Sequence, residues 1–89
     1  MMYPFMKLVD DTEIVHSEMH DDGSVVVCIE QPVDGGFKTA YCHIPGYDWY
    51  DVENYSAAEL AEKKETIESL AHIIVELSRT GGFANAEGF

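Results

Sequence analysis

Apolar and polar positions along the middle of this chain follow a strand-like period, and then the period changes to that of a helix. The run 25–31 is rich in β-branched residues and alternates, which predicts a strand. A second alternating run at 37–44 closes at Pro45-Gly46. Between them lies Pro32-Val33-Asp34-Gly35-Gly36, whose Asp-Gly pair is a hairpin signal. Upstream, 12–19 alternates weakly and predicts a first strand, followed by the turn residues His20-Asp21-Asp22-Gly23-Ser24. A two-residue turn at Asp34-Gly35 would place Val25, Val27, Ile29, Ala40, Cys42 and Ile44 on one face. Val26, Cys28, Glu30, Phe37, Thr39, Tyr41 and His43 would then share the other; a three-residue loop would swap the pairings. The pattern suits an antiparallel sheet with one face covered and the other half wet or shared with a partner.

The period then becomes helical. Ser56-Ala57-Ala58-Glu59 spells a capping box, and Leu60, Ile67, Leu70, Ala71, Ile74 and Leu77 form a stripe at helical spacing. Gly81-Gly82 predicts the stop, with Arg79 complementing the dipole before it. Ile73 and Val75 make the last two turns apolar nearly all round. Either the sheet and the tail residues Phe83 and Phe89 cover them, or a second chain does, giving a homodimer through the apolar helix end. The expected fold is α+β: a three-stranded antiparallel β-meander followed by one long C-terminal helix packed on the sheet (βββα). It forms a single domain over 1–89, with 1–9 a frayed N-terminal segment and 81–89 a C-terminal tail.

Charge changes the picture most. Seventeen acidic residues face five Lys and Arg, for a net charge of −12. No base falls between Lys7 and Lys38, nor between Lys38 and Lys63. Such a surface repels nucleic acid and anionic membrane and attracts basic proteins. At 46% hydrophobic and 11% aromatic the chain is nonetheless apolar enough to fold. No apolar run approaches the ~18 residues of a membrane span. The start of the chain lacks the basic leader, apolar stretch and small-residue site of a secretion signal, so the expected location is cytoplasmic.

Little in the sequence points to catalysis. Cys28 and Cys42 fall on opposite faces of the predicted hairpin, which forbids a bridge, and nearby carboxylates disfavour a thiolate. His16, His20, Asp21, Asp22 and His43 invite a metal. On one extended stretch, however, His16 and His20 would stand about 13 Å apart, and no spacing matches a zinc or calcium site. His72 lies between Glu68 and Glu76 on one helix face, with no nucleophile or pocket in the pattern to serve. No nucleophile elbow, phosphate loop or dinucleotide fingerprint occurs. The expectation is a protein that is not an enzyme and holds no metal or cofactor.

The stretch 46–55 is different. Tyr47, Trp49, Tyr50 and Tyr55 are interleaved with Asp48, Asp51 and Glu53. In a nucleic-acid binder the interleaved charges would be Lys and Arg; here a Lys/Arg-rich protein would find aromatic faces and carboxylates together. Four rings exceed what one connecting loop needs to close a small core. These seven residues form the expected partner-binding site.

Val25-Val26-Val27-Cys28-Ile29-Glu30, then Asp34-Gly35-Gly36-Phe37, then Ile44-Pro45-Gly46 and the capped helix from Ser56 follow one another over 25–78. In this succession the stretch resembles the HicB family of bacterial antitoxins. The resemblance implies a small α/β domain that covers a basic toxin ribonuclease of the double-stranded-RNA-binding type. The expected function is therefore non-enzymatic: an acidic module that neutralises a basic, nucleic-acid-handling protein, as an antitoxin or phage-type inhibitor would. A homo-oligomeric structural protein is the alternative, and a small His/carboxylate metal-dependent hydrolase a weaker one.

Overall fold

The structure, a computed structural model, describes residues 2–79. Five strands precede one helix: β1 Met2–Lys7, β2 Glu13–Ser17, β3 Val25–Val33, β4 Gly36–Ile44, β5 Asp48–Glu53 and α1 Ala57–Ser78. They form a single antiparallel meander in the order β1-β2-β3-β4-β5. The α+β class and the C-terminal helix agree with the pattern, but the sheet has five strands where three were expected. Both extra strands lie at the edges, where alternation is broken. A bulge between Pro4 and Met6 interrupts β1, so the stretch expected to fray is a paired edge strand. A second irregularity, opposite Thr39–Tyr41, interrupts β5 in what had looked like a connecting loop. Asp51 sits there with φ 50.

The central hairpin pairs Val25 with Ile44, Val27 with Cys42, Ile29 with Ala40 and Val33 with Gly36. Asp34-Gly35 is thus a two-residue turn, and Gly35 takes the φ of 83 that side chains rarely adopt. Alternation carries those six apolar residues onto one face, where Ile67, Ala71 and Ile74 of α1 cover them. Phe5 and Ile14 extend the same core. Cys42 lies in it, whereas Cys28 points to the opposite face; both are free.

Helix α1 starts as its capping box requires. The Glu59 amide donates to Ser56 Oγ at 3.2 Å, and the Ser56 amide donates to Glu59 Oε1 at 2.9 Å. Ser56→Ala is expected to cost about 1 kcal/mol in urea denaturation, since it strips one of the free amides of its acceptor. At the other end the Met19 amide donates to the Ser78 carbonyl at 3.1 Å, tying the end of the helix to the chain after β2. Arg79 is the C-cap, and Gly81-Gly82 and the tail lie outside the described residues. Ile73 remains 39% exposed, while Val75 and Leu77 pack against the core. No helix among the described residues is long and apolar enough to cross a membrane.

One buried charge was not foreseen. Lys63 lies on the covered side of α1, is only 5% exposed, and its ammonium pairs with Asp10 in the β1–β2 connection. Asp10 also accepts from the Thr12 amide at 3.0 Å, which fixes the loop that presents it.

Candidate interaction surface

Strand alternation divides the aromatic and acidic segment between two faces. Trp49 pairs with Cys42, turns to the helix side and packs against the core, where its indole nitrogen is buried without a hydrogen-bond partner. Tyr55 also packs inward. Burial pushes its phenol up to about 12, with the Asp10 and Glu59 carboxylates adding to the shift. Tyr50 pairs with Tyr41 on the other face, and the two rings stack at 5.6 Å and 20°. Tyr47, at φ 56 in the turn before β5, is 38% exposed. It lines a groove of about 380 Å³ with Pro45, Ala71, His72 and Val75. Asp48, Asp51 and Glu53 are exposed. The seven expected residues therefore do not make one surface: Trp49 and Tyr55 serve the core, and the outward set is Tyr47, Asp48, Tyr50, Asp51 and Glu53.

The face of the sheet opposite α1 is uncovered among the described residues, and register organises it into rows. One row crosses all five strands as Pro4, Val15, Cys28, Tyr41 and Tyr50, over a span of about 19 Å at the usual strand spacing. It is apolar or aromatic throughout. The neighbouring row reads Lys7, Glu13, Glu30, Thr39 and Glu53. Glu13 and Glu30 stand directly opposite each other in this row, with Lys7 opposite Glu13 on its other side. Where the two rows begin, a shallow hollow of about 320 Å³ opens beside the β1 bulge, lined in part by Pro4, Lys7, Glu13 and Val15.

Titration behaviour on this face follows burial and carboxylate proximity. The Tyr41 phenol is pushed up, first by Cys28 beside it and then by its own burial and the Asp51 charge. Tyr50 is raised by burial and then by the Asp51 charge. The Cys28 thiol is raised chiefly by burial, and the Cys42 thiol on the other face is pushed up by burial to about 11. Both shifts suppress the thiolate form at neutral pH.

The histidines are scattered. His16 is fully buried on the core face, its Nδ1 donating to the Ser17 carbonyl at 2.8 Å and its ring 5.8 Å from that of Tyr3. His43 lies on the open face opposite Val26 and Asp48, so the sheet itself separates it from His16. Asp22 accepts from the Ser24 amide at 2.9 Å and acts as a turn residue, with His20 Nδ1 3.4 Å from Ser24 Oγ. Among the described residues no three His, Cys, Asp or Glu side chains gather in a way that could hold a metal ion.

The residues missed by the pattern are Pro4, Val15 and Glu13, because their contribution to the open face depends on β1 and β2 joining the hairpin in register. Cys28, Glu30, Thr39 and Tyr41 were placed on that face by alternation, but nothing local showed that β5 would continue it. Comparisons with protein-family models, with curated proteins and with solved structures give no significant match.

Proposed function

We propose that this protein is a non-enzymatic acidic binding module that covers a basic, nucleic-acid-handling protein, in the manner of an antitoxin or a phage-type inhibitor. The observation that carries this reading is the sheet face that the described residues leave uncovered, where an apolar and aromatic row runs beside a row holding Glu13, Glu30 and Glu53 with Lys7 at its end. Apolar area favours protein contact, and the adjacent carboxylates together with the net charge of −12 favour a Lys/Arg-rich partner over phosphate or lipid headgroups. The resemblance of 25–78 to the HicB antitoxins points to the same class of function.

Affinity capture from the source cell's lysate tests the reading with three baits. These are the wild type, Glu13→Lys/Glu30→Lys on the open face, and Glu65→Lys/Glu68→Lys on the outer side of α1, which changes charge equally. A single basic protein held by the wild type and the helix variant, released by high salt and lost to the open-face variant, is the expected result. Equal capture by all three baits, or enrichment of no basic protein, would overturn it.

A further inference from the structure

The open face carries its aromatic and acidic groups in an arrangement that distinguishes between the two basic side chains. Tyr41 and Tyr50 lie nearly parallel, 5.6 Å apart, and Tyr50 is 39% exposed. Thr39 precedes Tyr41 by two residues on the same face of β4, with Glu30 opposite it on one side and Glu53 on the other. Both glutamates are thus diagonal neighbours of Tyr41, at about 7–8 Å between backbones. Asp51, exposed and next to Tyr50 at the irregularity of β5, adds a further carboxylate to this end of the sheet. A flat cation lying on these rings could reach carboxylates at its edge.

That geometry suits a guanidinium better than an ammonium. Arginine is planar and weakly hydrated, stacks on aromatic faces, and donates in a fork that matches a carboxylate; lysine is a strongly hydrated point charge. We propose that the Tyr41–Tyr50 pair, with Glu30, Asp51 and Glu53 around it, is a receptor for arginine side chains of the basic partner, so that this face selects arginine over lysine. The inference rests on the basic-partner reading above and adds the chemistry of the contact. Neighbouring apolar positions of the same row, Val15 and Cys28, would take the aliphatic stems or apolar residues beside the arginine. Strand addition is a poorer alternative. The edge strand β1 contains Pro4 and a bulge, and β5 is bulged and carries three acids, features that discourage pairing at an edge.

The test titrates the full chain with oligo-arginine and with oligo-lysine of equal length at low salt, following the tyrosine ring signals by NMR. Oligo-arginine is expected to bind about two- to fivefold tighter per contact and to shift the Tyr41 and Tyr50 rings. Tyr50→Leu should erase that preference while retaining salt-dependent binding of both peptides, and Tyr50→Phe, which keeps the ring face, should restore it. Equal affinity of the wild type for the two peptides would overturn the arginine receptor and leave the basic-partner reading standing. A preference that survives Tyr50→Leu would overturn it too, by placing the arginine elsewhere. If neither peptide binds, both readings fall.

Discussion

Ile74→Ala is expected to remove about 2–5 kcal/mol of stability. Ile74 is fully buried, on the stripe that α1 lays over Val25, Val27, Ile29, Ala40, Cys42 and Ile44. Truncation costs the transfer energy of the lost carbons and leaves a cavity that β-sheet on one side and helix on the other cannot close. A domain of this size has only about 5–10 kcal/mol in hand, so urea denaturation should show a much earlier midpoint or an unfolded protein. The neighbouring Ile73→Ala is the control, because Ile73 is 39% exposed and its loss should cost under about 1 kcal/mol. Similar effects at 73 and 74 would mean that α1 is rotated about its axis or that another chain covers Ile73.

The second large effect concerns Lys63 and Asp10. Asp10→Ala is expected to cost about 2–3 kcal/mol, more than Lys63→Met at the other end of the same ion pair. Removing the carboxylate leaves an ammonium whose side chain is only 6% exposed, with the Glu62 carboxylate 4.0 Å away and itself largely in solvent. Removing the ammonium instead leaves Asp10, whose side chain is 36% exposed and can be hydrated, while methionine keeps the buried stem. The partial exposure of Asp10 is the reason for an estimate below the full penalty of a buried pair.

The same pair sets an acid dependence. Burial alone would raise the Asp10 carboxyl, but hydrogen bonds from Lys63 and Thr12 and the Lys63 charge prevail and hold it at about 2. Because its pKa is lower in the folded state than the ordinary aspartate value, its contribution is complete above about pH 4 and is lost as pH falls toward 2. Glu59, held at about 2 by Lys38 and then by the Ser56 amide, adds in the same direction. Acid titration followed by circular dichroism should show unfolding in that window, and Lys63→Met should flatten the Asp10 part of it. An unchanged acid limb in Lys63→Met would show that the pair does not couple to folding.

How far the sequence reached differs between elements. The hairpin of β3 and β4 was legible because three local signals agree: β-branched content, period-two alternation, and an Asp-Gly turn signal between the runs. Helix α1 was legible for the same kind of reason, with a capping box at Ser56–Glu59 and apolar residues at 67, 71 and 74. Strands β1 and β5 were not. Bulges break their alternation, Pro4 removes an amide, and the acids of β5 resemble those of a loop until pairing with β4 is seen. Of the candidate surface, the acids and rings were visible in the sequence, but not which rings point outward.

Local periodicity and turn chemistry therefore determined, from the sequence by itself, the central hairpin, the capped helix and the acidic character of the surface, while the two-residue length of the turn, which the structure shows, chose between the two registers the pattern allowed. These properties depend on residues a few positions apart, and the chain carries them wherever it goes. Only the tertiary structure decided that two edge strands extend the sheet, that Trp49 turns inward while Tyr50 stacks on Tyr41, and that Lys63 meets Asp10, 53 residues earlier. Those outcomes are settled by which segments pack together, and an apolar or charged side chain is placed by the partner that relieves its exposure or its burial, which no local pattern encodes.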